Sequence, residues 1–176
     1  MCHLLLALAL GLACGVDEDT PGRVQPVETS GQFEVTGVTV EKRTGTQRPI
    51  AGKVVLVQEG DRYTAHFELS TPYGGSGAAA AEVIGTGEGR VAGNTLRGRA
   101  ETQLVLAQVP GVDVGFAFGP RQVGPRIVST SVVEFFPDGS IHIEMQNRPA
   151  SEEEDYTPSE TTLVGYRLGD APRTRP

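Results

Sequence analysis

Tryptophan is absent from this 176-residue chain, lysine occurs only at Lys42 and Lys53, and both cysteines, Cys2 and Cys14, precede residue 15. Each shortage excludes something. With no cysteine beyond Cys14, the body of the chain has neither a disulfide framework nor a thiol nucleophile, so its stability has to come from a hydrophobic core. Basic residues number 15 against 22 acidic ones, a net charge of −7. A nucleic-acid partner, which requires concentrated positive charge, is therefore not expected. The three histidines fall in no H-x-H or H-E-x-x-H spacing, and no G-x-S-x-G elbow is present, so neither a metal nor a cofactor is expected. The apolar run Leu4–Ala13 has ten residues, about 15 Å as a helix, half of what a hydrocarbon core of about 30 Å demands. Without Trp and with only four Tyr, a membrane-spanning barrel lacks its aromatic girdles.

What is present is alternation of period two. Tyr63, Ala65, Phe67 and Leu69 share one face of a segment whose other face is Arg62, Thr64, His66 and Glu68. Leu96, Ala100, Leu104 and Leu106 oppose Arg97, Arg99, Glu101 and Gln103; Val112, Val114, Phe116 and Phe118 share a face; Ile141, Ile143 and Met145 oppose His142, Glu144 and Gln146. Such patterns mark strands buried on one side. Glu59-Gly60-Asp61, Ala92-Gly93-Asn94-Thr95 and Pro137-Asp138-Gly139 supply the turn residues of hairpins. The reading is an all-β antiparallel meander of eight or nine strands, near 32–43, 50–58, 61–70, 78–91, 95–108, 112–119, 126–136, 140–147 and 161–168. It closes as a small barrel or, alternatively, stacks as a β-sandwich.

Other segments have simpler readings. Gly85-Thr86-Gly87-Glu88-Gly89 predicts a bulge or bend, since no helix follows to make a phosphate cradle. The alanines 78–81 open a strand or form one helical turn. Residues 149–160, rich in Glu, read as a solvated loop without the alternating ligands of a calcium site. Arg97, Arg99, Arg121 and Arg126 are the candidates for a basic patch.

The run Leu4–Ala13, followed by Cys14 and Gly15, resembles the lipobox of bacterial lipoproteins. His3 stands where such leaders carry Lys or Arg, and Gly11 where they carry leucine. The resemblance implies that residues 1–13 are a signal peptide and that Cys14 becomes the lipidated first residue. It also implies a place in the bacterial cell envelope, periplasmic or on the outer-membrane face, with the membrane as partner through the anchor. From the residues alone, an ordinary secretory signal or a buried apolar segment remains open. Residues 14–30 have the composition of a flexible tether, able to reach about 55 Å. The barrel is expected over 31–168 and a disordered tail over 169–176.

Gly31-Gln32-Phe33 at the start of the first strand, with Arg167 in the last, resembles the Gly-x-Trp and arginine pair of lipocalin-like barrels, Phe33 replacing the tryptophan. The resemblance implies that Phe33 and Arg167 close one end. Tyr63, Phe67, Leu104, Phe116, Phe118, Ile143 and Met145 then face an interior that is either a filled core or a cavity. The expected role is non-enzymatic: binding a small apolar ligand inside, or a protein or envelope partner on the surface. The alternative is an envelope hydrolase with a carboxylate site in the barrel mouth, drawn from Glu68, Glu101, Glu134 or Glu144. Oligomeric state is not readable.

Overall fold

The computed structural model describes residues 29–73, 79–107 and 122–169. The segments 1–28, 74–78, 108–121 and 170–176 lie outside them, and with them fall the leader, Cys14, the tether, the strand expected at 112–119, Arg121 and the tail. Eight strands follow in order: β1 Gly31–Glu41, β2 Gln47–Glu59, β3 Arg62–Tyr73, β4 Ala79–Ala92, β5 Thr95–Ala107, β6 Gln122–Phe135, β7 Ser140–Pro149 and β8 Ser159–Gly169. Each pairs antiparallel with the next, and β8 pairs with β1, so the sheet is a closed barrel. That closure sets the sandwich aside. Among the described residues there is no helix, and the alanines from Ala79 onward open β4.

Alternation explains the wall. In β8 Ser159, Thr161, Leu163 and Gly165 are buried while the residues between them are exposed, and β7 repeats the pattern with Ile141, Ile143, Met145 and Asn147. Both strands bury one face only, as period-two side chains on a curved sheet must. The hairpins expected at 60, 93 and 139 form, with Gly60 at φ 64°, Gly93 at φ 64° and Gly139 at φ 83°. These are left-handed conformations that a side chain resists. Pro125 lies inside β6 because the register slips there: Gln103 pairs with Arg126 but Val105 with Val123. At such a bulge the missing N–H breaks no ladder bond.

The glycine run of β4 departs from the expected bend. Gly85, Gly87 and Gly89 stay in register with both neighbours, and what they supply is room. A Cβ on Gly89 would stand 2.7 Å from Tyr63 Cε1, and one on Gly87 would stand 3.2 Å from Phe67 Cε2. The two aromatic rings of β3 occupy the space that side chains on β4 would otherwise fill.

The two halves of the barrel differ. At the end where β1 begins, Phe33, Leu56, Leu96, Phe135 and Ile141 are each less than 2 % exposed. The Phe33 and Phe135 rings meet edge to face, centroids 5.9 Å apart. Arg167, register partner of Phe33, lays its guanidinium 5.2 Å over the Phe33 ring and donates from Nη1 to the Ser30 carbonyl. Gly31 makes this possible, since a Cβ there would stand 2.8 Å from Arg167 Nη1. This end is filled and capped.

Candidate functional site: a cavity at the open end

Toward the opposite end the inward face changes character, and among the described residues the packing stops. Beyond the core the barrel encloses a cavity of about 310 Å³, at the lower end of the range that holds small ligands. Its inner part is apolar, formed by Ile50, Phe67, Leu69, Val83, Leu104 and Met145. Its outer wall is polar, with Thr39, Ser129, Asn147, Ser159 and Thr161 from four strands and Tyr156 from the β7–β8 loop. Glu41, Arg48 and Asp155 also line it. Asp155 and Arg48 are exposed, and Glu41 is half-buried.

The polar wall is one connected network centred on Asn147. Ser129 Oγ donates to Asn147 Oδ1 at 2.7 Å. Asn147 Nδ2 donates to Ser159 Oγ at 3.1 Å and to Thr161 Oγ1 at 2.8 Å. Thr161 shares a further bond with Thr39 Oγ1 at 2.8 Å, and Ser159 one with the Tyr156 hydroxyl at 2.6 Å. A buried amide demands such partners, because an unsatisfied polar group inside a barrel costs about 1–3 kcal/mol. Burial pushes the Tyr156 phenol above its usual pKa. The Ser159 bond and Arg48 oppose that rise, and the Glu41 carboxylate adds to it. The phenol therefore keeps its proton at neutral pH.

Tyr156 reaches the cavity because its loop is tied to the rim. Arg126 Nε meets Glu154 Oε1 at 3.0 Å, and the Arg126 backbone N–H donates to Glu154 Oε2 at 3.1 Å. Ala150 N–H donates to the Arg126 carbonyl at 3.0 Å, and Lys42 N–H to the Pro158 carbonyl at 2.9 Å. The Arg126 hydrogen bonds hold the Glu154 carboxyl below the usual carboxylate range. The acidic segment read as a solvated loop is thus partly a wall of the site.

Of the residues expected in the interior, Phe67, Leu104 and Met145 line the cavity. Tyr63 and Ile143 are buried in the hydrophobic core and do not line it. Phe116 and Phe118 lie outside the described residues. Glu68, Glu101, Glu134 and Glu144 are all exposed on the outer faces of β3, β5, β6 and β7. Glu68 is engaged with His66 at 3.2 Å, and Glu101 with Arg99 at 3.3 Å. Among the described residues, the carboxylates that line the cavity are instead Glu41 and Asp155. Arg97 and Arg99 face outward on β5, whereas Arg126 belongs to the loop clasp. Among the described residues no three His, Cys, Asp or Glu side chains converge to hold a metal ion. The polar wall had a signal in the sequence: the buried face of β7 runs Ile141, Ile143, Met145 and then Asn147, and that of β8 runs Leu163, Thr161 and then Ser159. In each strand the inward face turns from apolar to polar toward the same end.

No family model matches the chain, and no curated protein or solved structure shows significant similarity to it.

Proposed function

We propose that this protein is a lipid-anchored protein of the bacterial envelope whose barrel binds a small, largely apolar molecule without transforming it. The observation that carries the reading is the cavity: about 310 Å³, apolar within and hydroxyl-rich at its mouth. Burying the apolar part of a ligand against Phe67, Leu69 and Met145 releases about 25 cal/mol for each Å² removed from water. The lipobox-like leader ending at Cys14 supports the anchor, and several acyl chains hold a protein to a bilayer durably. The chain enters the barrel at Gly31, at the capped end. A tether from Cys14 would therefore join the barrel at the capped end, opposite the mouth. A second reading, a protein partner on the outer wall, is supported by Val164, Tyr166 and Leu168, which stand 45 %, 64 % and 53 % exposed along one face of β8.

The test is mass spectrometry of the full chain purified from bacterial membranes, intact and after solvent extraction. The expected outcome is a mass lacking residues 1–13 and carrying acyl chains on Cys14, with a co-purified small molecule in the extract. An unmodified chain that keeps its leader refutes the anchor. Failure of any apolar compound to co-purify or to bind on titration refutes the ligand role.

A further inference from the structure

The polar wall of the cavity holds more protons than it can use. Five hydroxyls (Thr39, Ser129, Tyr156, Ser159, Thr161) and the Asn147 amide bring seven protons to a network of five hydrogen bonds. Two protons are left over, and the surplus is the same whichever way the Asn147 amide is turned. With Nδ2 donating to Ser159 and Thr161, one spare proton belongs to the Tyr156–Ser159 pair and the other to the Thr39–Thr161 pair. All four of these side chains line the cavity. No other hydrogen bond engages their side chains among the described residues. A ligand that displaces water from this wall without supplying acceptors strands those donors, at the desolvation cost of each.

Resting on the reading of the cavity as a ligand site, we infer that the ligand is a neutral amphiphile whose head presents oxygen acceptors, such as an ester, ketone or lactone. A hydrocarbon supplies no acceptor. An ammonium supplies no acceptor, so even where its charge meets Glu41 and Asp155 it leaves both spare protons unpaired. A carboxylate supplies acceptors but meets Glu41 and Asp155 at the lining, against Arg48 as the one cation among the described lining residues. The volume of about 310 Å³ fits a ligand of roughly ten non-hydrogen atoms, at about 30 Å³ for each water displaced.

The experiment is an NMR titration of the full chain with four probes of similar length: methyl hexanoate, heptane, hexanoate and hexylamine. Methyl hexanoate is expected to bind about tenfold more tightly than heptane, the return on one to two neutral hydrogen bonds, and more tightly than either charged probe. Asn147→Asp supplies the control. It removes two protons and adds an acceptor, so Ser129, Ser159 and Thr161 donate to the new carboxylate, which three donors keep ionised. Thr39 and Tyr156 then donate to Thr161 and Ser159, and no surplus remains. The ester's advantage over heptane is expected to fall to about threefold or less, because heptane no longer strands a donor in the variant. Equal binding of ester and heptane to the unaltered protein overturns this inference and leaves the cavity reading standing. Tighter binding of hexanoate or hexylamine than of the ester also overturns it. Binding of none of the four overturns both. The ranking on the unaltered protein decides by itself if the variant does not fold.

Discussion

Arg167→Met measures what holds the capped end shut. The guanidinium sits 5.2 Å over the Phe33 ring, an interaction worth about 1 kcal/mol at a half-buried site. It also donates to the Ser30 carbonyl, and a charged hydrogen bond contributes about 1.5–3 kcal/mol. Methionine keeps most of the apolar stem and loses both contacts, so the expected destabilisation is roughly 2–4 kcal/mol. For a domain of this size that lowers the melting temperature by roughly 5–15 °C. With no tryptophan in the chain, urea unfolding is followed by far-UV circular dichroism. A double-mutant cycle with Phe33→Leu isolates the ring contact, whose coupling energy is expected near 1 kcal/mol. A loss below about 0.5 kcal/mol for Arg167→Met, or a coupling indistinguishable from zero, refutes the account of the cap.

Gly89→Ala places a Cβ 2.7 Å from Tyr63 Cε1 and 2.2 Å from the Arg97 carbonyl; it is expected to destabilise by about 1–3 kcal/mol. Gly87→Ala, whose nearest contacts are at 3.2 Å, should cost less, and reversal of that order in urea midpoints disproves the packing argument. The loop clasp predicts a pH dependence. The Glu154 carboxyl is held below its usual pKa by hydrogen bonds from Arg126. Its contribution is therefore fully present above the unfolded-state value of about 4.3 and is lost as pH falls through the lower folded value. The protection factor of the Tyr156 amide, its exchange rate relative to the unstructured rate at the same pH, should fall over that acid window in the unaltered protein. In Arg126→Ala it should already be low at neutral pH, and a loop that stays protected there refutes the clasp.

The strand order was legible in the sequence because each strand buries one face, and burial on one face writes a period of two into the residues. Tyr63 to Leu69 and Ile141 to Met145 are the clearest cases. The turns at Gly60, Gly93 and Gly139 were legible for a related reason: a left-handed backbone selects glycine locally. Closure was harder to read. The pairing of Phe33 with Arg167 joins the two ends of the barrel, and no local pattern encodes a contact at that separation. The run from Gly85 to Gly89 was misread as a bend because glycine reports missing side-chain volume as readily as backbone freedom. Deciding between the two requires knowing that Tyr63 and Phe67 lie across the neighbouring strand. Tyr156 escaped for a similar reason: its acidic surroundings describe the solvent side of the loop, and the long-range ties of that loop, Glu154 to Arg126 and Pro158 to Lys42, that turn its ring inward leave no local pattern.

The single long-range seam also governs how the chain reaches this state. Seven of the eight ladders join consecutive strands, and the eighth joins β1 to β8. Folding can therefore advance hairpin by hairpin along the chain, with little loop-closure entropy lost at each step. Without the β1–β8 ladder the sheet would be open, with two unpaired edges and an uncovered apolar face. The rate of that last zippering sets how long the protein is vulnerable to pairing with other chains. Ser159–Gly169, the last strand to leave any machine that delivers the chain N-terminus first, is the segment whose arrival ends the exposure.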